Sequence, residues 1–429
     1  MLESIDRRKF LGNSAAGSAA VGLGLSAARA NGSESPNEKI IVGIMGLRRG
    51  RRLASLFAEQ PNVEIRYVCD VDSLRAEVCA EDISSADGKK PQAITDFRRI
   101  LDDKQVDALV CAAPNHWHAP ATIFGCSADK HVYVEKPCSH NPYEGELMVQ
   151  AARKYNRAVQ VGTQRRSSEG IRHAIAKLHE GVIGRVYLVR CWYDSTRGSI
   201  GLGKLVNVPP HIDYDLWQGP APRRPYRDNV VHYKWHWRWH WGNGELGNNG
   251  VHSLDLARWG MNVDFPIRVT SSGGRYHFED DQETPDTHTV CYEFEGRRSI
   301  TWQGMSCNKH GSGFVTFYGD QGSLELSGNG SHTTFDRSDK KIEEVDGVSH
   351  GLTEHITNFL QAIRENKPLE LSAKVLDGHK SALLCHLGNI AHRTGRALNC
   401  ASENGHILND QQAMDLWSRE YDQAFEPKV

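Results

Sequence analysis

Short apolar segments alternate with helix-like segments from Lys39 to Gln164, and this alternation restricts the fold more than any other feature. Strands separated by helices and short turns favour a parallel, doubly wound sheet with helices on both faces. The sequence therefore predicts an α/β domain over residues 38–161. Its expected strands are IIVGIMG (40–46), VEIRYVCD (63–70), VDALVCAAP (106–114), HVYVEKP (131–137) and AVQVGTQ (158–164).

Residues that directly follow these strands are the first candidates for a binding site. In doubly wound sheets, ligands bind beyond the carboxyl ends of the strands. This rule selects Gly46 to Gly50, Asp70, Pro114 to His118, and Glu135 to Pro137.

The turn after the first strand, GIMGLRRG, partly matches a dinucleotide-binding fingerprint. Gly46 and Gly50 fit the outer glycines of GxGxxG if one residue is deleted, and Arg48 stands where the middle glycine would be. The helix that follows offers free N–H groups to phosphate. Asp70 lies at about the spacing of a ribose 2′-hydroxyl acceptor, and its charge would repel a 2′-phosphate. The pattern predicts NAD, with NADP possible because of nearby arginines, and an ordinary glycine turn is the alternative.

The strict alternation ends beyond Gly162. IRVTSSGGRYH, HTVCYEFEG, RSITWQGM and GFVTFYGD are typical of strands in a mainly antiparallel sheet. Helical patterns return at 352–366 and 374–395. We therefore expect a second α/β domain over residues 162–395, whose last helices could pack back on the first domain, and a C-terminal extension over 396–429.

Composition excludes several classes of partner and site. A net charge of −2 gives no electrostatic reason to expect nucleic acid or an anionic membrane. No apolar window is long enough for a membrane-spanning helix. The ten cysteines lie mostly in apolar runs without a CxxC pair. We therefore expect small buried hydrophobic residues, with neither a disulfide framework nor a thiolate zinc site.

The N-terminus has the features of an export signal. Arg7 and Arg8 precede Phe10 and Leu11, and a run of small residues leads to Ala28-Arg29-Ala30, an A-x-A cleavage pattern. Residues 1–30 are thus predicted to be a twin-arginine signal that directs a folded protein to the periplasm. A disordered tail with a chance arginine pair is the alternative.

Three ordered motifs resemble one enzyme family. APNHWH (113–118), VEKP (134–137) and GNGELGNNGVHSLD (242–255) are similar to motifs of the glucose-fructose oxidoreductase, inositol dehydrogenase and MocA (Gfo/Idh/MocA) family, and the last resembles its GGGxLxDxGxHxxD segment. The resemblance implies a Rossmann domain followed by an α/β domain with an open, mainly antiparallel sheet. It also implies NAD, tightly bound in an exported enzyme, and a dimer or tetramer formed through the second sheet.

The resemblance also implies roles for individual residues. Lys136 would lie near substrate and nicotinamide, and His252 would be the proton-transfer residue. Either of them could act as the general base, because a buried lysine can lose its proton. Further residues would border the cofactor and the substrate. Those beside the dinucleotide would be Pro114, Asn115, His118 and Glu135. Gln164 would lie near nicotinamide and substrate, and Arg165 near the substrate.

One residue departs from the family pattern. Asn248 stands where an aspartate usually precedes the histidine by four residues, and an amide adds no charge to orient the imidazole. Asp255 follows His252 by three residues, on the same face of the predicted helix, and could supply that charge or simply face the sheet. Both Asn248 and Asp255 are provisional substrate-side residues.

The segment WHWRWHW (235–241) contains four of the ten tryptophans. A helix that began at His232 would stack His232, His236 and His240, which could hold zinc. Its period-two alternation instead favours an extended segment, and no cysteine or carboxylate completes a metal set. We expect no metal here. Plain packing explains some tryptophans, and we expect Trp235, His236, Arg238 and His240 to border a carbohydrate.

The resulting hypothesis is an NAD(P)-dependent oxidoreductase that acts on a secondary hydroxyl of a sugar, glycoside or polyol. One alternative is an NAD-dependent glycoside hydrolase that oxidises C3 transiently and eliminates the aglycone. A second alternative is a non-catalytic sugar-binding protein that retains the cofactor.

Overall fold

The computed structural model describes residues 39–83, 88–347 and 349–429. The predicted export signal lies outside the described residues. Within the described part of the chain, no helix is both long and apolar enough to cross a membrane.

The first domain is built on a six-stranded, fully parallel sheet, as the alternation predicts. The strand order is β3-β2-β1-β4-β5-β6. The strands are β1 (Ile40–Met45), β2 (Val63–Cys69), β3 (Gln92–Ile94), β4 (Ala108–Cys111), β5 (His131–Val134) and β6 (Val159–Val161). The helices between them are α1 (Gly50–Ala58), α2 (Ser73–Asp82), α3 (Arg98–Asp102), α4 (Asn115–Ser127) and α5 (Pro142–Lys154). The three-residue strand β3 was not predicted, because so short a segment shows no periodicity.

Local sequence explains where the helices begin. The Asp72 side chain accepts a hydrogen bond from the backbone N–H of Arg75 and caps α2. The Asn141 side chain accepts one from the N–H of Glu144, and Pro142 occupies the first turn of α5, where no intrahelical donor is needed. These caps fix the loops that precede the helices.

The second domain contains a mixed, mostly antiparallel sheet, as expected. Its strand order is β15-β14-β13-β12-β7-β10-β9-β8-β16, with β10 and β7 parallel. The strands are β7 (Val186–Thr196), β8 (Arg268–Gly274), β9 (Thr287–Phe294), β10 (Arg298–Met305), β11 (Cys307–Asn308, paired with β7), β12 (Val315–Gly319), β13 (Gly322–Leu326), β14 (His332–Asp336), β15 (Lys341–Val345) and β16 (Leu398–Asn399). The helices are α6 (Glu169–His179), α7 (Tyr214–Gln218), α8 (Val251–Met261), α9 (Leu352–Arg364), α10 (Val375–Thr394) and α11 (Gln411–Met414). Buried residues of α6, α8 and α10 pack against the sheet in one hydrophobic core.

The C-terminal part of the chain contributes to both domains. Phe359 of α9 joins the core under β1 and packs edge-on against Phe57 of α1. Residues 396–429, expected as an extension, supply strand β16 to the second sheet, and Phe425 packs against Trp117 of the first domain. The C-terminal part of the chain therefore packs against both domains.

A buried ion pair joins the end of the first sheet to the second domain. Arg166 lies in a 3₁₀ turn (Gln164–Ser167) after β6, and its guanidinium donates to both carboxylate oxygens of Asp255 in α8 at 2.8–3.1 Å. The Ser381 hydroxyl of α10 donates to Asp255 at 2.7 Å and accepts from Arg258 at 3.1 Å. Three elements are thereby fixed around one carboxylate.

We expect Asp255→Ala to lower the free energy of unfolding by about 3–5 kcal/mol, because it removes the bidentate partner of the buried Arg166 charge and leaves the looser pair with Asp377, 3.7 Å away. Chemical denaturation followed by tryptophan fluorescence measures the change. Glu344→Ala, which removes an exposed ion pair with Lys341, is the control and should change stability by less than about 0.5 kcal/mol. Equal effects of the two substitutions would contradict this account of the ion pair.

Candidate active site

A cleft of about 530 Å³ lies at the carboxyl ends of β1, β2, β4 and β5. The first domain contributes the residues that follow these strands, as the strand-end rule predicts. The second domain contributes residues of the segments 232–236 and 248–252, together with Tyr193 of β7 and two residues of α7, Leu216 and Trp217. One cleft therefore brings together most of the candidate residues from both halves of the chain.

The turn after β1 requires a glycine and leaves room for a ligand at the start of α1. Gly46 has a φ of +85°, and a Cβ there would lie 2.5 Å from the backbone nitrogen of Ala113. Gly50 is the first residue of α1, and no side chain caps this helix. The Gly50 N–H donates to the Gly46 carbonyl at 3.1 Å, and the positive dipole end of α1 suits a pyrophosphate, so the turn fits a dinucleotide.

Asp70 fixes this turn from the end of β2. Its Oδ2 atom accepts a hydrogen bond from the backbone N–H of Leu47 at 2.7 Å, and Oδ1 accepts from that of Asp72 at 3.0 Å. Burial raises the pKa of this carboxyl above its usual value. Asp70 lines the cleft next to the glycine turn, which is where a ribose acceptor would be needed.

The charged residues of the turn reach across the cleft. Arg48 occupies the middle-glycine position of the turn. Its side chain extends to the Tyr233 ring, with the guanidinium 3.8 Å from the ring centroid. Arg49, within the Gly46–Gly50 turn that the strand-end rule selects, forms an ion pair with Glu135, with Nε 3.0 Å from Oε1. Glu135 therefore ties the end of β5 to the turn after β1.

Pro114, Asn115 and His118 form the wall at the start of α4. The Asn115 side chain donates to Oδ1 of Asn243 at 2.9 Å and connects the two domains. The His118 ring lies between the carbonyl oxygens of Ala113 and Pro137, at 2.7 and 2.6 Å from its two nitrogens. His118 thus holds together two of the strand-end loops.

Lys136, Asn248 and His252 line the same cleft. The Lys136 ammonium donates to the backbone oxygen of Asn248 at 2.7 Å and to its Oδ1 at 3.2 Å. Burial lowers the pKa of Lys136. The Nδ1 atom of His252 is buried without a hydrogen-bond partner among the described residues. Burial, with the nearby charges of Arg165 and Lys136, lowers the pKa of His252 well below its usual value, so its ring is neutral.

Glu245 organises the loop that carries Asn248, and sequence reasoning missed it. Its Oε1 atom accepts from the side-chain amide of Asn249, and Oε2 accepts from Trp237 Nε1 and Ser306 Oγ, both at 3.3 Å. Burial and the neighbouring Glu245 raise the pKa of Tyr193, another cleft residue that was missed. The signal in the sequence was a single carboxylate within the glycine-asparagine run GNGELGNNG.

The segment 235–241 is not extended, so that prediction was wrong. Lys234–Trp237 forms a 3₁₀ helix, and turns follow. The His236 ring stacks on Trp235 with centroids 3.6 Å apart, which a strand would prevent by placing the two rings on opposite faces. Both rings line the cleft, and burial lowers the pKa of His236 to about 3.

Three residues that were predicted to border the substrate or to support His252 do not line the cleft. Arg238 lies outside the cleft because its guanidinium donates to Asp281 and Asn229. His240 also lies elsewhere, with its ring donating to the carbonyl of Pro222 at 2.7 Å. Asp255 is occupied by Arg166 and so does not support His252.

Arg165 approaches the site without lining the cleft, whereas its neighbour Gln164 does line it. The Arg165 guanidinium donates to the carbonyl of Gly328 at 3.2 Å and lies over the Phe314 ring. Its charge still acts on His252 from there. Among the described residues, no cluster of three or more His, Cys, Asp and Glu side chains could hold a metal ion.

Comparisons with known proteins agree with this geometry. Residues 40–163 match the family model described as the Gfo/Idh/MocA oxidoreductase family, NAD-binding Rossmann fold. Residues 192–426 match the model of the C-terminal alpha/beta domain of the same oxidoreductase family.

Individual curated relatives match only part of this chain and share a low sequence identity with it. The inositol 2-dehydrogenase of Salmonella typhimurium is 29% identical over 149 residues, which are 34% of this chain and 42% of that protein. The matches to the first curated relatives span only 42–65% of their lengths.

Two solved structures share the fold. The aldose-aldose oxidoreductase of Caulobacter crescentus, complexed with glycerol, has a TM-score of 0.64 at 19% identity, covering 84% of this chain and 99% of that one. A levoglucosan dehydrogenase in complex with NADH has a TM-score of 0.66 at 19% identity, with the same coverage. The two family models together span both sheets and the cleft between them, and the chain therefore belongs to the Gfo/Idh/MocA family of oxidoreductases.

Proposed function

We propose that the protein is an NAD-dependent dehydrogenase that transfers hydride between nicotinamide and a secondary hydroxyl of a sugar, glycoside or polyol. The observation that carries the proposal is the meeting of Lys136, His252 and the glycine turn in one cleft. Inositol 2-dehydrogenase and levoglucosan dehydrogenase among the relatives support the substrate class. We also propose that the cofactor stays tightly bound during turnover.

The residues of the cleft divide the proton chemistry between them. NAD, when bound along the glycine turn, supplies the hydride acceptor. His252 is neutral and lines the cleft, so its ring can accept the proton of a substrate hydroxyl. The Lys136 ammonium has three donors, and Asn248 engages two of them, which leaves one N–H for the substrate oxygen. In this scheme His252 is the general base and Lys136 polarises the oxygen.

A direct test is mass spectrometry of the purified protein for bound dinucleotide, followed by a screen of sugars, polyols and aryl glycosides. Reduction of the cofactor by a sugar or polyol, seen at the NADH absorbance band, is the expected result. Release of an aglycone without net NADH would instead support the glycoside hydrolase. Sugar binding without either reaction would support the non-catalytic alternative and overturn the proposal.

The two candidate bases predict different pH profiles. If His252 is the base, its lowered pKa allows kcat/KM to persist well below pH 6.5, because the ring remains deprotonated there. His252→Ala should lower kcat/KM by about 10²–10⁴-fold and remove the acidic limb. Lys136→Met should lower kcat/KM by about 10²-fold but keep that limb. The opposite pattern would assign the base to Lys136.

The preference for NAD over NADP should depend on the charge of Asp70. Asp70→Asn keeps an oxygen acceptor for the Leu47 N–H but removes the charge that repels a 2′-phosphate. We expect the ratio of the NADP and NAD dissociation constants to fall by about tenfold or more. Asp215→Asn, at an exposed carboxylate of α7, is the matched control and should leave the ratio unchanged. An unchanged ratio in Asp70→Asn would remove the basis for the NAD preference.

We further propose that the protein is exported to the periplasm and associates as a dimer or tetramer through the second sheet. The Arg7-Arg8 pair and the Ala28-Arg29-Ala30 pattern support export. The open face of β9 and β10 carries the exposed side chains Thr289 and Gln303 and is available for a partner. Light scattering on protein recovered from the periplasmic fraction tests both points, and a cytoplasmic monomer would contradict them.

A further inference from the structure

A second cavity, of about 340 Å³, lies between the loop before α5, the end of α10, the turn 239–243 and residues 416–420. We call it the basic cavity. It shares no lining residue with the cleft. Asn243 connects the two, because it lines the basic cavity and its Oδ1 accepts the hydrogen bond from Asn115 in the wall of the cleft.

Three arginines line the basic cavity: Arg224, Arg393 and Arg419. The Arg393 guanidinium lies 5.3 Å from the centroid of the Trp239 ring. Arg419 donates to Nδ1 of His140 at 3.2 Å. Within the described residues, neither Arg393 nor Arg419 forms an ion pair with a carboxylate, and burial lowers the pKa of both.

Nearby carboxylates do not neutralise this charge. Glu283 accepts the backbone N–H of Trp239 at 2.7 Å, forms a long ion pair of 3.9 Å with Arg224 and also acts on Arg393, so this one carboxylate is shared among the arginines. Glu144 accepts from the His140 N–H and the Tyr421 hydroxyl, and burial raises its pKa to about 7, so it is only partly charged near neutral pH. Glu420 lines the cavity but is exposed to solvent. The interior therefore keeps a net positive charge.

The histidines of the cavity are neutral and already bonded. His140 donates through Nε2 to the carbonyl of Trp239, which leaves Nδ1 to accept from Arg419. His240 donates to Pro222, and burial lowers its pKa to about 4. The free donors that face the cavity are thus chiefly those of the guanidinium groups.

We propose that the basic cavity binds a small organic anion, with a carboxylate, sulfate or phosphate group held by Arg393 and Arg419. Planar guanidinium groups match the paired oxygens of such anions and lose little entropy in binding them. Arg224 and Arg393 are exposed at the mouth of the cavity and Arg419 is partly buried, and an anion held between Arg393 and Arg419 would offset the repulsion between their like charges. The Trp239 ring adds an apolar face, and the volume suits a ligand of about monosaccharide size. This site is independent of the proposed dehydrogenase activity.

Calorimetric titration of the full chain tests the site, with D-glucuronate, inorganic sulfate and D-glucose as probes. We expect saturable binding of an anion with a dissociation constant of about 1 mM or tighter and no comparable binding of glucose. Tighter binding of glucuronate than of sulfate would identify an acidic sugar as the ligand class, and equal binding would identify a free anion. Absence of saturable binding by both anions would overturn the proposal.

Two variants locate the binding. Arg393→Gln and Arg419→Gln should each weaken anion binding by about tenfold or more, whereas Arg268→Gln, at an exposed ion pair on β8, should not. Arg393 makes no hydrogen bond to another described residue, so its variant should fold even if Arg419→Gln does not. Glucuronate that binds in the cleft would be insensitive to Arg393→Gln. Unchanged affinity in that variant would therefore overturn the assignment.

Discussion

The buried pair of Arg166 and Asp255 is the interaction on which the geometry of the cleft depends. Arg166 belongs to the turn that ends the first sheet, and Asp255 lies one turn after His252 in α8. A bidentate bond between them fixes the histidine relative to the strand ends that carry Lys136. Because both side chains are almost fully buried, loss of either leaves a buried charge without its bidentate partner. The proposed catalytic arrangement and the packing of the two domains therefore depend on the same bond.

The charges around the cleft act differently on Lys136 and on His252. Arg165, Lys136 and Arg49 all act on His252 and favour its neutral form, beyond the effect of burial. Burial, with the charges of Arg49 and Arg165, lowers the pKa of Lys136, whereas Glu135 and Glu245 act in the opposite direction and favour its charged form. A neutral imidazole beside an ammonium is suited to accept one proton while a cation stabilises the substrate oxygen. Glu245 also supplies negative charge to a loop where position 248 holds an amide.

The tryptophan-rich segment serves two cavities. Trp235 and His236 face the cleft, whereas Trp239 and His240 face the basic cavity. Trp241 lies between, packed edge-on against Trp217 of the cleft wall. Substitutions a few residues apart in this segment should thus affect different ligands, which a single strand with one tryptophan face would not produce.

The sequence by itself determined the doubly wound first sheet, the mostly antiparallel second sheet and the family. These follow from local periodicity and from motifs at strand ends. The strand-end rule placed Lys136 and Asp70 in the cleft, and the family resemblance placed His252 there. The sequence did not determine which side chains outside the motifs share a cavity. Arg238 and Asp255 form ion pairs with charged residues of distant segments. Residues 234–237 form a 3₁₀ turn, although the alternating pattern predicts an extended segment. Only tertiary structure decided these points, because ion pairs between remote segments and the path of an irregular loop have no local signal in the chain.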